Sequence, residues 1–305
     1  MTTFLTLAIN GLALAALLFM VAAGLSLIFG LMGVLNFAHG AFFLWGAYSW
    51  LAVYNRTGNF WLALVVATVV GAILGAITER VFIRPLYQRP LSQILVTLGL
   101  ALVLNQLAVA VFGQDPQYFN PIPGLSSTVH LGGVYITTYR LFVIAIGAVI
   151  LAAVWALLRF TRIGLIVRAG VENPVMVGAL GIHVGRVFLG VFALGAALAA
   201  LGGAVYAPYI STVTTDMGQV VLLSAIIVVV LGGLGSYLGS ALGALVIGLA
   251  QDLVPYYITQ VLPAPYNQNL EGSAAALVSL FLLLVILLVR PQGLLGLKLS
   301  GEGVW

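Results

Sequence analysis

Two polar side chains, Asn36 and His39, stand beside Gly40 within a stretch that is otherwise apolar from about residue 4 to residue 53. In lipid an unpaired amide or imidazole is costly, so both must face protein or a water-filled passage. Gly33 and Gly40 on either side would let the backbone break there. Either the pair staples helices together or it lines a solute path, and intramembrane ionisable groups mark such paths by default. A second interruption holds Gly232, Gly233, Gly235, Gly239 and Gly243. The last three recur every four residues on one helix face, where missing side chains let two backbones approach. The adjacent pair, 232–233, weakens a helix by about 1 kcal/mol per glycine and fits a broken helix better. Glycine-interrupted apolar segments in corresponding places of two halves point to a transport pathway built from repeats. Gly232, Gly233 and Gly235 therefore join Asn36, His39 and Gly40 as candidate path residues, although the Asn and His do not recur.

Enzyme chemistry is absent from the sequence. The seven acids are scattered singly, and His39, His130 and His183 lie in different segments, so no nucleophile–base pair, acid pair or metal cluster forms. Zero cysteines exclude disulfides and thiolate metal sites. The one lysine, Lys298, follows leucine where a phosphate-binding loop needs glycine, so any ATP must be used by another subunit. Ion-coupled carriers and voltage sensors carry mid-membrane charges, of which these spans have almost none, Glu79 and Asp252 lying near span ends. A channel stays open on these grounds.

The elements that position these residues are set by composition. With 63% hydrophobic and 6% charged residues, against about 25% charged in a soluble domain, the 305-residue chain reads as a polytopic membrane protein in one domain, residues 1–305. The net charge of +4 does not mark a nucleic-acid binder, because the charges sort by side of the membrane. The first residues lack a basic region and cleavage site, so the first span is read as mature. Apolar runs fall near 4–29, 38–53, 60–80, 93–113, 139–160, 187–208, 220–237, 240–258 and 273–290. They predict an all-α fold of about eight to nine transmembrane helices with glycine-interrupted broken or re-entrant segments. The run at 38–53 is short enough to be a crossing or a re-entrant piece.

Nine of the eleven basic residues, Arg80, Arg84, Arg89, Arg159, Arg162, Arg168, Arg186, Arg290 and Lys298, fall in alternate loops. The positive-inside rule places those loops, and the C-terminus, in the cytoplasm. Arg56 and Arg140 dissent. Segment 114–138, rich in proline and glycine, reads as an ordered external loop, either a linker or a partner contact. The longest basic loop, 161–186, carries helix punctuation. Asn173 is the expected cap, Pro174 the first helical residue and Gly181 the left-handed stop. Val175, Met176, Ala179 and Leu180 share a face that either rests on headgroups or docks into another protein, and two turns bury little area for lipid binding.

Three blocks together resemble the membrane permease of branched-chain amino acid ABC importers, the LivH-like family: residues 24–40, the 161–186 loop and the 232–248 run. The pairs Glu79-Arg80 and Arg84-Pro85, and the closing Arg290-Pro291-Gln292-Gly293, are similar to it as well. The resemblance implies a bacterial or archaeal inner-membrane subunit with the fold of that family. It implies as partners a second related permease, two cytoplasmic ABC ATPases holding ATP and magnesium, and an extracytoplasmic solute-binding protein; this chain itself would hold no cofactor. It also implies that Arg168, Ala169, Glu172 and Asn173, leading through Met176, Ala179, Leu180 and Gly181, form the loop that contacts an ATPase. A neutral amino acid is the expected solute, with urea or a short amide as an alternative, and a stand-alone channel as the rival function. Ala41 departs from the family, which often has an acid after the His-Gly pair.

Overall fold

The protein is described by a computed structural model covering residues 2–131, 134–172, 174–261 and 266–296. Among these residues the chain forms eleven α-helices and one small hairpin. The helices are α1 (Thr2–Met32), α2 (His39–Thr57), α3 (Phe60–Thr78), α4 (Pro90–Phe112), α5 (Thr138–Phe160), α6 (Arg162–Glu172), α7 (Pro174–Ala179), α8 (Val184–Ile210), α9 (Met217–Gly232), α10 (Tyr237–Val261) and α11 (Tyr266–Val289). The nine apolar runs correspond to α1–α5 and α8–α11. Among the described residues six helices are long and apolar enough to cross a membrane, and α9 and the second part of α11 are shorter apolar helices. In the 114–138 segment β1 (Thr128–Leu131) pairs antiparallel with β2 (Val134–Thr137), Thr128 opposite Thr137.

Three helices make the centre. α1 and α8 run antiparallel, and α2 packs on α8 and α3 and reaches α1 through His39, with twelve of its nineteen residues buried, including Phe42, Phe43, Tyr48 and Trp50. Lipid tails are as apolar as leucine, so helices in a bilayer associate through close packing, and small residues carry it. A Cβ at Gly46 would collide with Ala200, at Gly203 with the Phe43 carbonyl, and at Gly24 with the Gly195 carbonyl. Buried polar groups bond across helices instead of facing lipid. Trp45 Nε1 donates to the Leu104 carbonyl at 2.9 Å, and the Tyr139 hydroxyl to that of Val205 at 2.7 Å. The outer helices present the opposite pattern. α4 buries only Gln93, Thr97, Leu104 and Ala108, while Leu91, Leu95 and Leu102 are exposed.

The arginines gather at one end of the bundle. There Arg84 packs on Gly185 at the start of α8, Gly30 of α1 meets Gly235, and Gly233 meets Gly293 and Gly296. α3 reaches this end through a π turn, Glu79–Ile83, and a 3₁₀ turn, Arg84–Leu86. Glu79 is wholly buried there and accepts a hydrogen bond from the Tyr87 hydroxyl, and Gln93 Nε2 ties the Leu86 carbonyl at 2.7 Å. Arg140 lies at the opposite end within electrostatic reach of Asp252, which gives one dissenting arginine a counter-charge.

The glycine packing predicts an asymmetric pair of variants. Gly203→Val overpacks the α2–α8 contact by about 1–3 kcal/mol or more and should remove the monodisperse protein peak in size-exclusion chromatography. Gly99→Ala, where a Cβ meets nothing within 4 Å, should leave that peak unchanged.

Candidate functional site

The break after α1 is built locally. Gly33 turns the chain with a φ of +64°, and the Asn36 Oδ1 accepts from the Ala38 amide at 3.1 Å. This Asx turn starts α2. His39 is fully buried, and its Nε2 donates to the Val21 carbonyl of α1 at 3.0 Å. Val21 lies eleven residues back from Met32, about 16 Å along the helix axis. The chain therefore climbs back about half the hydrocarbon thickness before α2 begins. The 38–53 run is thus a helix started inside the bundle that leaves it at the arginine-poor end.

The second half repeats this move upside down. α8 ends at Ile210, with Ser211 at a φ of 63°, and residues 211–216 turn back inward. Val213 exchanges two 2.9 Å backbone hydrogen bonds with Gln117. Deeper in, Asn105 Nδ2 donates to the Thr215 carbonyl at 2.9 Å. α9 then starts at Met217 and runs toward the arginine-rich end. The two interior helix starts touch, since a Cβ at Gly40 would strike the Gly218 carbonyl and one at Gly218 the Gly40 carbonyl. Beside this contact lies a cavity of about 40 Å³ lined by Phe37, Gly40, Ala41, Ala101, Asn105, Gly218, Gln219 and Leu222. Its polar side chains are uncharged. The first amides of a helix have no intrahelical partner and carry its positive end; α9 has Asp216 at its N-cap, whereas α2 has no acid at its start and favours a negative group here.

Of the expected path residues, Gly40 lines this cavity, while His39 and Asn36 stand behind it. His39 ties α2 to α1, and Asn36 caps the turn with its Nδ2 left without a partner among the described residues. Gly232, Gly233 and Gly235 are not brought to the cavity. They form the tight turn from α9 to α10 at the arginine-rich end, where Gly232 packs backbone to backbone on Gly239. The true counterpart of the first break is the 211–216 segment, marked in the sequence by the polar run Ser211 to Asp216 before Gly218. Asn105 and Gln219 are not among the residues expected from the sequence; their signals are the amide pair Asn105-Gln106 inside one apolar run and an amide just before another.

The 161–186 loop holds more helix than its sequence punctuation suggested. α6 is amphipathic, with Val167 and Gly170 buried against the bundle and Arg162 and Arg168 exposed. Its spacing of Ile163, Ile166, Val167 and Gly170 marks a helix face. Arg168 donates to the Leu158 carbonyl, and Ala169 is half-buried. α7 ends as expected. Gly181 has a φ of +80°, its amide bonds the Gly178 carbonyl at 3.0 Å, and the Ile182 amide bonds that of Val177 at 3.4 Å. This pair is a Schellman motif. Met176, Ala179 and Leu180 are exposed, and Val177 is the buried anchor. Asn173 and the Glu172 side chain lie outside the described residues.

Comparison with known proteins places these features in one group. The family model for the branched-chain amino acid transport system permease component matches residues 7–290. The high-affinity branched-chain amino acid transport system permease protein LivH of Escherichia coli (strain K12) is 30% identical, aligned over 96% of each chain. A probable LivH of Methanocaldococcus jannaschii is 28% identical over 92% of this chain and 89% of its own. The galactose/methyl galactoside import permease protein MglC of Escherichia coli (strain K12) is 28% identical over 70% of this chain and 63% of its own. No solved structure matches. A bundle of apolar helices, two of them begun inside it, and a match across nearly the whole sequence lead to one conclusion: the chain belongs to the branched-chain amino acid transport system permease family.

Proposed function

We propose that this chain is the membrane permease of a binding-protein-dependent ABC importer for a neutral amino acid. The carrying observation is the meeting of the α2 and α9 N-termini at Gly40 and Gly218, beside the amides of Asn105 and Gln219. Touching helix starts favour a carboxylate, most of all at α2, which has no acid of its own, and the uncharged amides suit a solute with no net charge. An amino-acid zwitterion meets both conditions. Urea lacks the negative group, so this chemistry favours the amino acid. A cavity of about 40 Å³ holds only a few waters. The solute must therefore pass when α2, α4 and α9 part, a movement that needs an energy source.

That source lies outside the chain, because the one lysine is not in a phosphate-binding loop. Two cytoplasmic ATPases are the proposed motors, with ATP and magnesium on them, and a second permease and a solute-binding protein complete the complex. The exposed Met176, Ala179 and Leu180 of the α7 region are the proposed ATPase contact, flanked by Arg168 and Ala169 of α6. The arginine-rich end is then cytoplasmic, by the positive-inside rule.

Reconstitution in liposomes with its ATPases and binding protein tests the reading. Amino-acid uptake should require ATP and every subunit, and uptake by the isolated chain without nucleotide would instead make it a facilitator. In the complete system Gly218→Ala, which forces apart two touching backbones at a cost of about 1–3 kcal/mol, should lower uptake severalfold without loss of assembled complex. Ala179→Asp buries an unpaired charge in the proposed docking face. It should keep normal membrane levels of the permease and lose both copurified ATPase and solute-stimulated ATP hydrolysis. Orientation is checked separately in this cysteine-free chain. A cysteine replacing Ser126 should react with an impermeant reagent added outside, and one replacing Thr161 should be protected.

A further inference from the structure

A cavity of about 350 Å³ opens between α1, α5, α6 and α8 near the arginine-rich end. Leu27 of α1, Leu158 of α5, Ile163 and Val167 of α6 and Val191 of α8 contribute apolar walls. Arg186 is the one charged residue in the lining, and it is exposed. Along α8 the lining runs from Arg186 to Leu194, which is about 12 Å of helix. The cavity is thus an apolar slot between helices, with Arg186 of the first turn of α8 among its lining residues. More positive charge lies near Arg186. The Arg84 guanidinium packs on Gly185, one residue before Arg186, and the first turn of α8 adds its own positive end. Arg162 stands exposed at the start of α6, while Arg159 and Arg168 line a separate cavity with Trp155 and Tyr237, and Glu172 is the single acid in the whole 159–186 segment.

We propose that this cavity seats one acyl chain of an anionic phospholipid from the leaflet at the arginine-rich end, with the lipid phosphate on Arg186. Basic pockets between membrane helices take such headgroups, and an apolar slot beneath one takes the chain. The charge distinguishes this occupant from a protein side chain or a zwitterionic lipid. Because α6 forms one wall, the lipid would fill the gap between the proposed ATPase-contact loop and the helices behind it. The site is defined by its own lining and does not depend on the identity of the transported solute.

Native mass spectrometry of the full chain in detergent, mixed with phosphatidylglycerol or phosphatidylcholine of identical acyl chains, tests the proposal. Phosphatidylglycerol should be retained about fivefold better, the worth of one arginine near an anionic headgroup. Arg186→Gln should reduce its retention to the phosphatidylcholine level. A Cβ at Gly190, which lines the cavity, meets no atom within 4 Å. Gly190→Leu should therefore fill the slot and remove both adducts, while Gly190→Ala should keep them and serve as the folding control. Equal retention of the two lipids by the wild type overturns the proposal, as does phosphatidylglycerol retention unchanged by either Gly190→Leu or Arg186→Gln.

Discussion

The two helix starts inside the bundle rest on one contact between backbones, that of Gly40 with Gly218. A helix begun in the interior of a membrane protein leaves several amides without carbonyl partners where no lipid group can satisfy them. Such a start survives only where protein or a hydrated cavity meets it. This fold places two of them against each other, with α2 leaving toward one face and α9 toward the other. Everything around them serves to hold that meeting point. His39 ties one start to α1, Asn105 ties the approach to the other, and the glycine and alanine faces of α1, α2 and α8 allow the spacing.

The pairing has an internal symmetry that the primary structure hides. α1, the 33–38 turn and α2 have their inverted counterparts in α8, the 211–216 turn and α9, yet no polar residue is shared at matching positions. What repeats is a physical requirement, a long helix followed by a reversal and a shorter helix started at depth. Asn36 meets it with a side-chain cap, and Val213 meets it by backbone pairing to Gln117. Evolution of one half has no need to preserve the other's chemistry so long as the geometry closes.

Much of the architecture was legible because lipid imposes a plain code. Nine apolar runs became nine helices, the 38–53 run proved to be the helix with an interior start, and Gly181 stopped α7 in the left-handed conformation. The location of the second break was not legible. The glycine doublet does end a helix, with Gly233 at a φ of +106° and Gly232 seated on Gly239, but it does so at the arginine-rich end and not inside the bundle. The real reversal uses Ser211, Thr212, Thr214 and Thr215, which read as an ordinary polar connection between spans. Depth in the bundle separates the two cases, and depth is set by tertiary neighbours. α6 was missed for a different reason, since its arginines masked an apolar spacing that a helix count over 163–170 contains.

α9 has a property that follows from its two ends. It is 16 residues long, so it spans about 24 Å as a single rod. One end rests on Gly40, while at the other the Leu231 and Gly232 carbonyls accept from the amides of Leu294 and Leu295 at 2.9 Å. The segment after α11 is thus laced to the far end of the rod. A rod pinned in this way has little freedom to slide along its axis without peeling those hydrogen bonds, but it can tilt about them. A displacement of the laced segment is therefore tied to the meeting point, about 24 Å away, through one continuous helix.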